Sequence, residues 1–221
     1  MQLFYPQEYR FILKWLVYWL SVMGGYAFIL KPLGFTYYNK WFGVFSYFIF
    51  FSYIGIVFFW RPQEKFNFKK NLINYFVIIL FYMLSSLSLN FFFPLSSNVI
   101  FHIKKLGILF PYLTFGTLLS KLADVFFQQV LIIGMVYRLS FLRKQVKVVM
   151  LAFCLIFFIL HLPLFFLFGI EAFIFILPSL FAGGFFAWVL LKFKYGISYS
   201  LAVHLSFYCI AAYGFRLYYN G

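Results

Sequence analysis

Long apolar runs alternate with short polar and basic connections along this chain. A helix needs about 20 predominantly apolar residues to cross the hydrocarbon core of a bilayer. Runs of that kind fall at residues 11–30, 41–60, 72–93, 119–138, 148–166, 172–191 and 197–217. They are too long to be buried strands, so the pattern predicts an all-α polytopic membrane protein with about seven transmembrane helices. Residues 94–118 are less regular: "FHIKK" precedes "LGILFPYLTFGTLL". Residues 106–118 can form an interfacial helix, a re-entrant piece making an eighth embedded segment, or the start of a long fourth helix broken near Pro111. No repeat or linker divides residues 1–221, which read as one integral membrane domain, with spanning helices in 1–105 and a further helical set in 106–221.

Composition agrees with the pattern. Of 221 residues 66% are hydrophobic and only 10% are charged, and the mean hydropathy is +0.97. A soluble domain of this length needs a far more polar surface. The opening "MQLFYPQEYRFILKW" lacks a short charged-then-apolar segment with a small-residue cleavage site, so the first run is expected to stay as an anchor rather than be removed. Cys154 and Cys209 both lie inside apolar runs, where a small buried thiol is the simple expectation.

The net charge of +14 does not point to nucleic acid, because the basic residues form no single patch. They cluster between apolar runs, as loops facing anionic lipid do. Twelve of them fall on the N-terminal side of the bundle: Arg10, Lys14, Arg61, Lys65, Lys69, Lys70, Arg138, Arg143, Lys144, Lys147, Lys192 and Lys194. Six fall on the other side: Lys31, Lys40, Lys104, Lys105, Lys121 and Arg216. The positive-inside bias then places the N-terminus in the cytoplasm, with the protein in the cell (plasma or inner) membrane.

A few polar residues interrupt the spans. Asp124, Gln128 and Gln129 occur in "KLADVFFQQVLIIGMVYRL". An acid near the middle of a spanning helix costs roughly 2.5–3.5 kcal/mol on insertion scales, and it faces the bundle interior or water. Phe127, Gln128 and Leu131 share its helical face. Lys121, three residues earlier, offers an ion pair that would by itself account for the acid. His161 follows Phe157 by four residues, and Tyr208 follows His204 by four. A lone histidine in a membrane usually satisfies a group on the next helix, but an acid and two histidines on three late helices also suit a shared site. His102 and Glu171 read as groups that reach water, and Gly183 and Gly184 as close-packing positions.

The order of these features resembles the CAAX-protease and bacteriocin-processing (CPBP, or Abi) intramembrane endopeptidases over roughly residues 115–215. The likeness is best in "FCLIFFILHLPLFF" and "LPSLFAGGFFAWVLLKFKYGISYSLAVHLSFY". The family's first motif is E-E-x-x-x-R, with Phe often before the Arg. Laid on "ADVFFQ", it puts Ala123 at the first Glu, Asp124 at the second, Phe127 at the Phe and Gln128 at the Arg. The F-x-x-x-H motif is intact as Phe157 and His161. The closing H-x-x-x-N motif keeps His204 but has Tyr208 in place of Asn.

The resemblance implies a CPBP-like helical bundle in the C-terminal half, with Asp124, His161 and His204 at catalytic positions. Phe127, Gln128, Phe157 and Tyr208 fall on the rim. In the family the first Glu and a His activate water, and the remaining His and Asn stabilise the oxyanion. Asp124 does not replace that Glu directly, because one helical position is a rotation of about 100°. The losses imply a homologue with impaired or lost hydrolysis, acting as a membrane subunit or adaptor. The alternative is an active endopeptidase for prenylated, leader-bearing or membrane-protein substrates. No cofactor is required, although two histidines and a carboxylate could hold zinc with one open position. The expected partners are membrane lipids, and either membrane proteins of a complex or a membrane-bound peptide. With four acidic residues in all, an ion-coupled transport pathway is hard to build.

Overall fold

The computed structural model of the chain describes residues 6–60, 68–106, 115–142 and 145–220. The side chains of His102 and Glu171, the connection at 61–67, Arg143 and Lys144, and the break expected near Pro111 lie outside the described residues. In lipid no water is available to the backbone, so each spanning segment must satisfy its own N–H and C=O groups as a helix. The helices are α1 (Pro6–Gly25), α2 (Trp41–Phe59), α3 (Phe68–Phe92), α4 (Ser97–Leu106), α5 (Phe115–Leu142), α6 (Val146–His161), α7 (Leu164–Phe168), α8 (Phe173–Lys192) and α9 (Gly196–Asn220). A π-helical turn, Tyr26–Leu30, continues α1, and a 3₁₀ turn, Gly169–Ala172, joins α7 to α8.

Among the described residues seven segments are long and apolar enough to span: Tyr9–Leu30, Trp41–Phe59, Asn71–Phe92, Phe115–Leu142, Val146–Phe166, Phe175–Lys192 and Gly196–Tyr218. The chain is an all-α polytopic membrane protein. Large side chains such as Phe58, Phe76, Phe81, Phe91 and Phe166 are exposed on the bundle surface, where only hydrocarbon is a compatible solvent. The fourth span is longer than its apolar run suggests. Its 28 residues reach about 42 Å at 1.5 Å per residue, so its ends extend past a hydrocarbon core of about 30 Å.

That helix, α5, is the axis of the bundle. Of its apolar span 67% is buried, against 17% for the Asn71–Phe92 span of α3. One core joins the two halves of the sequence around α5: Trp15, Trp19 and Phe48 from the first helices pack with Phe127, Phe153 and Phe157 from the later ones. The Trp15 indole N–H donates to the Leu131 carbonyl (2.8 Å). On the other flank α9 is fastened to α3 at both ends. Ser198 donates to the Asn71 side-chain oxygen (2.8 Å). Buried Arg216 donates to the Leu89 carbonyl (3.3 Å), to Asn90 Oδ1 (3.2 Å) and to the Phe93 carbonyl. It thereby adds a second donor to the Leu89 carbonyl, which also accepts from the Phe93 N–H (2.8 Å), and satisfies the Phe93 carbonyl just past the end of α3.

The α6–α8 contact requires a glycine at 183 but not at 184. A Cβ on Gly183 would meet the Phe157 Cβ at 2.7 Å and the Phe153 carbonyl oxygen at 2.8 Å, whereas one on Gly184 would find its nearest neighbour at 3.6 Å. Gly183→Ala is therefore expected to destabilise the protein by about 1–3 kcal/mol through forced separation of two helices. Gly184→Ala should stay close to wild type. Thermal melting of the two purified variants checks the contrast; equal behaviour would contradict this packing.

Candidate functional site

Asp124 lies nine residues into α5, about 14 Å along the helix from Phe115, and is 1% exposed. A carboxylate at that depth must be paired, and three donors reach it. Lys121 Nζ, one turn earlier, lies 2.7 Å from Oδ2. The Gln128 amide, one turn later, donates to Oδ1 (2.9 Å). The third is the Tyr37 phenol, which donates to Oδ2 (3.0 Å) from the loop between the first two spans. Lys121 and Gln128 reach Asp124 because residues three and four apart stand above one another on a helix. The ion pair expected from sequence at the boundary is present, but buried.

Tyr37 is placed by its loop. Thr36 Oγ1 accepts from the backbone N–H of Asn39 (2.9 Å) and of Tyr38 (3.3 Å), and Thr36 N–H donates to the Asn39 carbonyl (2.8 Å). This tight turn directs Tyr37 inward and leaves Tyr38 exposed. Burial first, and then the adjacent Asp124 carboxylate, hold the Tyr37 phenol well above its ordinary range. It therefore remains an O–H donor. Tyr208 of α9 completes the enclosure. The Lys121 ammonium sits 4.0 Å from the Tyr208 ring centroid and 5.7 Å from that of Tyr37, within cation–π range.

His204 belongs to a second polar group, next to the first. Its ring stacks on Tyr208 (centroids 5.6 Å, planes 19° apart). The partner of its Nδ1 is Gln129 Nε2 (2.9 Å). Ser200 Oγ donates to Gln129 Oε1 (2.8 Å), and the Gln129 amide also donates to the Ser200 carbonyl (3.4 Å). These two contacts orient the amide, so its N–H points at His204 Nδ1, which must accept. A neutral imidazole carries one N–H, and its partners assign that proton to Nε2 of His204. His161 has the opposite assignment. Its Nδ1 lies 2.7 Å from the Phe157 carbonyl oxygen, which can only accept, leaving Nε2 with the lone pair.

The expected site residues thus come together unequally. Asp124, Gln128 and Tyr208 adjoin one centre, with His204 beside it. Phe127 is fully buried on the core side, 5.8 Å from the Phe48 ring, which in turn lies 6.4 Å from Tyr37. His161 stands at the end of a run of rings: it lies 4.5 Å from Phe157, Phe157 lies 5.8 Å from Phe186, and Phe186 lies 5.4 Å from His204, and the two histidines are near enough to interact electrostatically. His161 is the last residue of α6, about 22 Å from its start, and His204 is about 12 Å into α9. Among the described residues no three His, Cys, Asp or Glu side chains are grouped to hold a metal ion.

Sequence reasoning missed Tyr37, since nothing in "TYYNK" tells which tyrosine turns inward. It marked Gln129 as a polar group needing a partner, but supplied neither Ser200 nor His204. No family model, no curated protein and no solved structure matches this chain. The resemblance to CPBP endopeptidases therefore rests on the motif residues themselves. The hydrogen-bond pattern makes a specific spectroscopic prediction. In ¹⁵N-histidine-labelled protein, His204 should be the Nε2–H tautomer and His161 the Nδ1–H tautomer, and Gln129→Leu should release His204 into a mixture while leaving His161 unchanged. An Nδ1–H signal for His204 in the wild type would contradict the assignment.

Proposed function

We propose that this chain is a non-hydrolytic membrane subunit or adaptor with a CPBP-like layout, residing in the cell (plasma or inner) membrane with its N-terminus in the cytoplasm. The observation that carries the reading is the state of Asp124. A general base needs a lone pair within hydrogen-bond reach of the proton it takes. Asp124 gives Oδ2 to Lys121 and Tyr37 and Oδ1 to Gln128, so three of its roughly four lone-pair sites are taken by the protein in a residue 1% exposed. The substitutions at the motif positions support the same view. Ala123 carries no acid, Gln128 brings no positive charge, and Tyr208 spends its ring face on Lys121.

One feature favours the alternative, an active endopeptidase. His161 Nε2 carries a lone pair and His204 Nε2 a proton, and neither atom has a hydrogen-bond partner among the described residues. An acceptor and a donor near one another are what acyl transfer requires, and the two histidines are near enough to interact electrostatically.

His161→Ala separates the two readings, because its one hydrogen bond is to its own helix and its loss should spare the fold. For an adaptor, complementation of a deletion strain by His161→Ala should follow the variant's abundance in the membrane. For a hydrolase, function and cleavage of a prenylated or leader-bearing peptide should fall by about 10²–10⁴ at normal abundance. The same measurement on His204→Ala extends the test to the second histidine. A loss of that size with intact abundance would overturn the adaptor reading.

A further inference from the structure

The far end of α5 carries a cation that the polar centre does not use. Arg138 lies 14 residues beyond Asp124, about 21 Å along the helix, at the end where α1 begins and α2 finishes. Its guanidinium lies 5.5 Å from the Phe11 ring centroid, and Phe11 packs edge-on against Phe59 at 5.7 Å. Its Nε is shut off from solvent and has no hydrogen-bond acceptor among the described residues. A ring offers attraction to a cation but no lone pair for an N–H, and a buried donor without an acceptor is costly.

The chemistry of the missing acceptor follows from the surroundings. Asp124 is the one acid whose side chain is described, and it is paired with Lys121. Arg10 and Lys14, which flank Phe11 on α1, are exposed. Lys147 and Lys192 end on the same side of the bundle and are exposed too. The guanidinium fork matches a phosphate, offering parallel N–H donors in one plane. A boundary position between helix ends is where a phospholipid headgroup lies, and each basic residue near an anionic leaflet adds about 1 kcal/mol of attraction, or about fivefold in affinity.

We propose that Arg138, with Phe11 behind it and Arg10 and Lys14 beside it, binds the phosphate of an anionic phospholipid at the α1–α2–α5 end of the bundle. This is a lipid site in its own right, independent of whether the chain hydrolyses anything.

The test uses the full-length protein in detergent, titrated with phosphatidylglycerol or with phosphatidylcholine of the same acyl chains, and read by native mass spectrometry. Wild type is expected to retain one phosphatidylglycerol in preference to phosphatidylcholine. Arg138→Gln should weaken that binding about fivefold or more, with an unchanged melting temperature showing that the fold is kept. Arg10→Gln/Lys14→Gln, which alters only exposed side chains, should weaken it as well and serves if Arg138→Gln fails to fold. Millimolar inorganic phosphate or glycerol 3-phosphate should not displace the lipid; displacement would identify a free-anion site instead. Glu8 and Glu64, whose side chains lie outside the described residues, are the competing acceptors on this side of the sequence, and Glu8→Gln is tested beside Glu64→Gln with the same outcome against the proposal. If wild type shows no preference between the lipids, if Arg138→Gln and the double variant bind as wild type does, or if Glu64→Gln raises lipid binding by freeing Arg138, the proposal is wrong.

Discussion

The buried ion pair between Lys121 and Asp124 constrains the rest of the bundle. Neither charge can stand alone in a low-dielectric interior, and a pair there is tolerated only when its remaining lone pairs and protons are also satisfied. Each group recruited for that purpose comes from a different part of the chain. Tyr37 draws the loop between the first two spans inward, Gln128 adds a second turn of α5, and Tyr208 brings α9 against the ammonium. Through Tyr208 the pair also positions His204. A helix otherwise free to slide along apolar neighbours is thereby fixed in depth and rotation, which dispersion between phenylalanine rings does not do alone.

The same satisfaction limits the chemistry. Active sites keep a base or nucleophile partly unpaired so that it can respond to substrate. Here three donors of its own protein hold the acid, and the histidine next to it accepts at Nδ1 from Gln129, which Ser200 orients. Among the described residues His161 keeps an imidazole lone pair, at Nε2. The polar residues of this centre join α5 to α9 and to the loop between the first two spans.

Much of the fold was legible because hydrocarbon imposes one rule. Apolar length decides a span, and the seven runs read from hydropathy correspond to the seven spanning helices. What hydropathy could not give was the length of α5, since Lys121 and Arg138 break the apolar run without ending the helix. In the site, i, i+3 and i, i+4 spacing sufficed for Lys121, Asp124 and Gln128, which lie on one helix and need no tertiary information. Tyr37 and Ser200 were illegible because their roles depend on a loop conformation and on the rotation of α9. The histidines illustrate both sides. Their motif spacing marked them in the sequence, but the partners Gln129 for His204 and the Phe157 carbonyl for His161 depend on how the helices turn.

A double-mutant cycle on the central pair addresses this account most directly. Unfolding free energies would be measured for Lys121→Met, Asp124→Leu and the combined variant, each purified in the same detergent. Removing one partner strands the other charge, so each single change is expected to cost about 3–5 kcal/mol, and the double variant, with no charge left to bury, less than either single. If Asp124→Leu alone leaves stability unchanged, or if the two costs simply add, the pair does not organise the bundle and the account is contradicted.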